Sequence, residues 1–419
     1  MEEKYVALAI PVFFVLMALE ILVTRRDAEK KYAFADSITN LSCGVGQQVL
    51  EPFLRTLGIG VYALIYNHAR LFTVRPESVL GWVALLVGVD FFYYAFHRAS
   101  HRINLFWASH VVHHQSEEYN LSVALRQSWI EILLAWVFYL PLAVLGFSPV
   151  AFVGMSTLNT LYQFWIHTRA VGKLPAPVEW LLNTPSHHRV HHGVNPKYVD
   201  KNYGGIFIVW DRWLGTFQEE EDEPVYGTVH PLASWNPLWA NVHYWVEMAA
   251  LSGSAPRAGD KIFAWFAPPE WRPRETSNGL GYVVIPEASR AAQRKYAPRA
   301  PAAVLGYVAV HFLLVGGATA AILVAVHDAP FAILASAAGL VLLEVIAWGG
   351  LFEGRPWGRL LATARIVATV GAVAWFTQET GSAAMAIGIA AIAAMSEIVW
   401  LARCRTGAPE GVVEAHAAG

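Results

Sequence analysis

The stretch Val79-Leu-Gly-Trp-Val-Ala-Leu-Leu-Val-Gly-Val-Asp-Phe-Phe-Tyr-Tyr-Ala-Phe-His-Arg-Ala-Ser-His101 decides the fold. Between Val79 and Phe96 its one charged residue is Asp90. An apolar run of roughly 20 residues is long enough to cross the hydrocarbon of a bilayer as a helix. The run closes on His97 and His101, four residues apart and therefore on one helix face. A membrane helix that ends by presenting two imidazoles to one point is read as part of an all-α membrane protein with a metal site at the end of its spans.

The rest of the chain fits that frame. Of 419 residues, 55% are hydrophobic and 15% charged, where a soluble domain carries about a quarter charged. A net charge of −2 gives no basic field for nucleic acid. The two cysteines, Cys43 and Cys404, are too few for a disulfide framework or a thiolate metal site. Further apolar runs lie at Tyr5–Val23, Leu41–Tyr66, Trp129–Leu145, Pro149–Ile166, 303–325, 331–348, 360–376 and 383–402. Glu51, Pro52 and Arg55 interrupt the second, which reads as a kinked or re-entrant segment or a full span. Gly146-Phe147-Ser148-Pro149 reads as a hairpin turn, and the Ala/Gly-rich final four as closely packed helices. About nine transmembrane helices are expected. With the N-terminus outside, 25 of 30 basic residues fall on the inner side and three outside. The histidine-rich segments then face the cytoplasm as a cap on the membrane. The expected segments are 1–78 (N-terminal membrane helices), 79–250 (catalytic), 251–302 (extended connector), 303–402 (a four-helix membrane region) and 403–419 (a cytosolic tail).

Ten of the sixteen histidines fall between 97 and 192. They form His97-Arg-Ala-Ser-His101, His110-Val-Val-His113-His114, and His188-Arg-Val-His191-His192 preceded by His187. On a helix, positions i, i+3 and i+4 share a face, so each cluster can aim two or three rings at one place. Neutral imidazole suits iron, zinc, copper and nickel, and eight such rings exceed what one tetrahedral ion uses and match two ions. His167 ends the fifth span on the same side as His97 and is a ninth candidate. Asp90 and Asp211 are expected to accept the outer ring proton of a ligand histidine; Asp90 reads alternatively as making a structural hydrogen bond to a neighbouring span, and Asp211 equally as a partner of Arg212 or of a backbone amide. Tyr203-Gly204-Gly205 with Asp211 suggests a cap over the metals, and Glu219–Glu223 a solvated acidic run. His68, His230, His243, His311, His327 and His416 read as interfacial or otherwise satisfied polar groups. Spans three to five, rich in aromatic residues, are expected to form an apolar channel for a lipid.

These boxes, in this order between paired spans, resemble the fatty acid hydroxylase / sterol desaturase superfamily of membrane di-iron oxygenases. The stretches 114–128, 161–168, 182–193, 200–205 and 210–217 resemble the alkylglycerol monooxygenase family within it. The resemblance implies an oxygen-dependent oxidoreductase with two iron ions, held by His97, His101, His110, His113, His114, His188, His191 and His192, with His167 as a further ligand. It also implies hydroxylation of the ether-bearing carbon of an alkylglycerol, release of a fatty aldehyde, and tetrahydrobiopterin as electron donor. Arg102 stands where the animal members carry glutamate, which points to another external donor such as a reductase. Partners are then a bilayer lipid, oxygen and that donor, with no nucleic acid. Two alternatives stay open: a sterol, fatty-acid or carotenoid hydroxylase or desaturase on the same metals, and a metal-binding membrane transporter. Ligands at helix ends, away from broken helices at mid-membrane, favour the oxygenases.

Overall fold

The computed structural model describes residues 2–27, 29–74, 78–277, 279, 281–378 and 383–403; Cys404, His416 and the tail beyond Arg403 lie outside them. It is helical. The helices are α1 (Glu2–Thr24), α2 (Phe34–Ala69), α3 (Val79–Arg102), α4 (Asn104–His114), α5 (Ile132–Leu145), α6 (Pro149–Trp165), α7 (Ala176–Leu181) and α8 (Pro185–His191). They continue as α9 (Val209–Leu214), α10 (Pro237–Ser254), α11 (Ala258–Phe266), α12 (Ala302–Ala325), α13 (Phe331–Phe352), α14 (Pro356–Thr377) and α15 (Ala383–Arg403). Extended pairing among the described residues is limited to isolated bridges such as Leu182 with Phe207.

Six of these helices, α2, α3 and α12 to α15, are long and apolar enough to cross a membrane. Of the other three expected spans, α1 has 23 residues, of which Ile10–Thr24 is the described apolar part; α5 and α6 are shorter, with 14 and 17 residues. At 1.5 Å per residue, α5 and α6 reach only about 21 and 26 Å of a roughly 30 Å core. The interrupted second run is one continuous 36-residue helix with Pro52 inside it.

The chain divides into two compact units. The first comprises residues 1–47, 51–232 and 241–294; the second 48–50, 233–240 and 295–419. In the first, Ser78 caps α3 by accepting from Gly81 N at 2.9 Å. Ile103 then breaks the helix with an extended backbone, so that α4 folds back beside the end of α3. Gly146 stops α5 in the left-handed region, and Ser148 with Pro149 starts α6, as the hairpin reading expects. Tyr62, Leu85, Val89, Leu142, Ala143 and Met155 pack where α2, α3, α5 and α6 meet. Lipid tails are as apolar as these side chains, so close dispersion contact and hydrogen bonds hold such a core; one is Tyr62 Oη to Phe147 O at 3.0 Å.

The region expected as an extended connector is more ordered than that. It contains α11, and Asn104 at the head of α4 donates to Ala264 O at 2.9 Å and, through its backbone N–H, to Ala267 O at 2.9 Å. In the second unit, α12 to α15 form an antiparallel set. Gly350 of α13 and Gly358 of α14 touch so closely that a Cβ on Gly350 would lie 2.6 Å from Gly358 Cα.

Candidate metal centre

Local structure brings the histidine boxes together. α3 carries His97 and His101, α4 carries His110, His113 and His114, His167 follows α6, and α8 with its C-cap carries His188, His191 and His192. Pro185 starts α8 at the position where a missing N–H costs nothing. The nine rings fall into two groups. His97, His101, His110, His114 and His191 form one, and His113, His167, His188 and His192 the other; within each, the donor atoms lie within 4.8 Å of one another. All nine are buried.

The outer ring nitrogens show which atom each histidine offers inward. Nδ1 of His97 donates to Tyr203 O at 2.8 Å, that of His113 to Arg126 O at 3.1 Å, that of His167 to Gln163 O at 2.7 Å and that of His191 to Lys201 O at 3.0 Å. A carbonyl only accepts, so Nδ1 carries the proton and Nε2 is a bare lone pair. His110 has its Nδ1 3.2 Å from Glu131. In the five-ring group every Nε2 is buried without a hydrogen-bond partner. In the four-ring group Nε2 atoms face one another: His113 to His167 at 3.1 Å, His167 to His188 at 2.9 Å and His188 to His192 at 3.2 Å.

Burial, then the neighbouring rings, hold His113, His114, His188 and His192 well below the ordinary histidine range. Burial takes His167 down to about 4 and His191 to about 3. These six rings are therefore neutral at neutral pH. Converging lone pairs repel unless a cation lies between them, and a metal ion per group is what this donor set fits.

Two expected partners act at one remove. Asp90 does not reach a histidine. It accepts from Asn159 Nδ2 at 2.8 Å, Ile206 N at 2.6 Å, Phe207 N at 3.1 Å and Trp210 Nε1 at 2.8 Å. Asp211 likewise accepts from the backbone, Tyr203 N and Gly204 N, both at 2.8 Å, and from Thr216 at 2.7 Å. The reason is geometric: carbonyls already occupy the outer nitrogens of His97 and His167, and the carboxylates hold the segments supplying those carbonyls. Asp90 reaches Tyr203 through the 203–207 loop, and Gln163 through Asn159, which accepts from Gln163 Nε2 at 2.7 Å. Gly205 permits this approach, since a Cβ there would lie 2.8 Å from Asp90 Oδ1. Tyr203 itself covers His97 and His101, with ring centroids 5.7 and 5.3 Å away.

His187 turns away from both groups and pairs with Glu179 at 2.9 Å. The acidic run is not merely solvated: Glu220 grips Arg189, inside the third box, through Arg189 Nε at 2.7 Å and Nη2 at 2.6 Å. Sequence reasoning missed Glu131 on His110 and Asp200, 3.9 Å from His101. Glu131 carried a signal, as a lone acid opening the apolar run 129–145. Arg102 pairs with Asp200 and, at 3.2 Å, with Glu270. A cavity of about 170 Å³ adjoins His101, His114 and His191. Its walls come from α4, α10 and the segments 227–230, 269–272 and 283–285 rather than from α5 and α6, and include Trp107, Tyr244 and Val283.

A family model for fatty acid hydroxylases matches residues 82–216, the stretch that carries all nine rings. The fold and site thus define an oxidoreductase of the fatty acid hydroxylase class. The alkylglycerol monooxygenase of Xenopus tropicalis is 36% identical over 365 residues, 86% of this chain and 80% of the frog protein. That of Homo sapiens is 40% identical over 286 residues, 68% of this chain and 64% of the human protein. The lathosterol oxidase of Mus musculus is 26% identical over 183 residues, 40% of this chain and 57% of the mouse protein. No solved structure matches the chain. The chain belongs to the alkylglycerol monooxygenase family.

Proposed function

We propose that this protein is a membrane-bound di-iron monooxygenase that hydroxylates the ether-bearing carbon of alkylglycerols. The observation that carries the reading is the pair of buried histidine groups, nine rings in two sets of inward lone pairs. The family membership favours the ether lipid over a sterol or free fatty acid. His97, His101, His110, His114 and His191 would hold one ion, and His113, His167, His188 and His192 the other. A pair of reduced irons supplies the activation of oxygen that attack on an unactivated C–H bond requires.

The chain's own residues have defined tasks. The carbonyls of Tyr203, Arg126, Gln163 and Lys201 fix the ring tautomers. Glu131 accepts the outer proton of His110 and strengthens that ring as a donor. Tyr203 and the 203–207 loop keep water from the five-ring group, and the adjoining cavity receives the lipid. An alkylglycerol, oxygen, two electrons and two protons give the hemiacetal and water. The hemiacetal's bond to the glycerol oxygen then breaks as its hydroxyl proton passes to that oxygen, giving a fatty aldehyde and free glycerol. The electrons come from an external donor, a pterin or a reductase, with Arg102 favouring the latter. In the membrane, α1, α5 and α6 join the six long helices, and the excess of basic residues supports a cytoplasmic position for the histidine end.

Membranes containing the protein are supplied with 1-O-alkylglycerol, oxygen and either donor. Oxygen-dependent fatty aldehyde, absent in His113→Ala, is the expected product. Hydroxylated sterol or fatty acid without aldehyde would transfer the assignment to the other enzymes of the class.

A further inference from the structure

The hydrogen bonds behind the four-ring group lead out of the histidine boxes into the two N-terminal helices. Neither α1 nor α2 carries a ring of either group, yet each buries a polar side chain against the segments that hold His167 and His113. Glu20 of α1 is buried. It accepts from the hydroxyl of Thr168, next in sequence to His167, from Leu121 N at 2.9 Å and from the hydroxyl of Tyr32. The two segments it joins are tied a second time, where Tyr119 Oη donates to Ile166 O at 3.1 Å.

Asn40 of α2 does the same for His113. Its Nδ2 donates to Asp36 at 2.9 Å and to Ser122 Oγ at 3.0 Å, and its Oδ1 accepts from Arg126 Nη1 at 3.1 Å. A carboxylate only accepts and a guanidinium only donates, so the amide takes this one orientation. Arg126 is fixed in turn by Val112 O at 2.7 Å and Gln115 Oε1 at 2.6 Å. Its own carbonyl accepts from His113 Nδ1. Asp36, Asn40 and Arg126 are all buried.

Such bracing matters most at the four-ring group. There the lone pairs of His113 and His167 face each other at 3.1 Å and repel until a cation lies between them, whereas in the five-ring group no Nε2 makes such a contact. We propose that α1 and α2 position the ligands of the four-ring ion. Glu20 holds His167 through Thr168, and Asn40 holds His113 through Arg126, both against that repulsion. The four-ring ion then depends on the N-terminal helices more than the five-ring ion does. Glu20 and Asn40 are positioning residues, and their role rests on the two-ion reading above.

The test is titration of the full-length protein in lipid nanodiscs with ferrous iron against a competing chelator, read as ions bound per chain and the affinity of each. Wild type should bind two. Glu20→Ala and Asn40→Ala should each weaken one ion by roughly 10–100-fold, as when an outer support of a ligand is removed, and spare the other. His167→Ala identifies which: it should bind one ion, and adding Glu20→Ala or Asn40→Ala should not weaken that ion further. Glu20→Gln, which keeps an acceptor oxygen, should lose less than Glu20→Ala, and it takes the place of Glu20→Ala if that variant does not accumulate. Tyr62→Phe removes a buried hydrogen bond of α2 at the far end of α6 from His167; it should lower the melting temperature and leave both affinities unchanged. Wild-type affinities in Glu20→Ala and Asn40→Ala, or equal weakening of both ions, overturn the proposal and leave the dinuclear centre standing. A wild type that binds one ion overturns both.

Discussion

His113 and His167 meet Nε2 to Nε2 at 3.1 Å, and each donates its Nδ1 proton to a backbone carbonyl, Arg126 O and Gln163 O. Two neutral rings in these tautomers have no proton to share. The contact is favourable only with a cation on both lone pairs, so binding metal and completing the fold are one process.

Metal removal should therefore destabilise the protein. Dialysis against a chelator is expected to lower the melting temperature by roughly 5–10 °C, since a ligand that binds only the native state stabilises by mass action. Ferrous iron should restore it. His187→Ala, which touches the Glu179 pair and neither group, should leave the shift on chelation unchanged.

Asp90→Ala strips four donors of their acceptor, three of them on the 206–210 segment. A buried donor left unsatisfied in this way costs about 1–3 kcal/mol. The 203–207 loop should loosen and metal affinity fall about 10–100-fold, as when an outer partner of a ligand histidine is removed. Asp90→Asn, which keeps an acceptor oxygen, should lose less. Metal titration of the two variants checks the order.

Glu179 supplies a pH test. Burial raises its carboxyl, but hydrogen bonds from His187, Ser186 and Leu174 N outweigh that and hold it at about 2. Its contribution to stability is thus full above the ordinary glutamate value near 4.5 and is lost as pH falls from there toward 2. Wild type and Glu179→Gln should differ by about 3–6 °C in melting temperature above pH 5, with the gap closing on acidification.

Arg102, which stands where the resemblance would place glutamate, has a structural role of its own. In the structure Arg102 neutralises Asp200 and Glu270, so a third carboxylate there sets like charges together beside His101. Arg102→Glu should lose stability and activity with every donor, whereas Arg102→Lys should keep most of both; melting curves and aldehyde assays with both donors decide it.

Spacing made the histidine rings legible, because helix periodicity puts i, i+3 and i+4 on one face. The carbonyls that orient them were not, since Tyr203 O and Lys201 O belong to a loop whose path no side chain announces. Asp90 was recognisable as a costly polar group in an apolar run, but not as the holder of that loop. Hydropathy made α5 and α6 legible as apolar runs but not their length, since it records composition and not where a helix starts. The ion pairs that join His311, Glu344, Arg365 and Glu397 were hidden: these are single residues on four separate helices, and only packing brings them together.

Counting metal per chain tests the two histidine groups most directly. Protein purified after iron loading should carry close to two ions, and His167→Ala, which breaks the four-ring group alone, should carry close to one and release no aldehyde. A wild type that is fully active with one ion, or a His167→Ala variant that keeps both ions and its activity, would contradict a dinuclear centre.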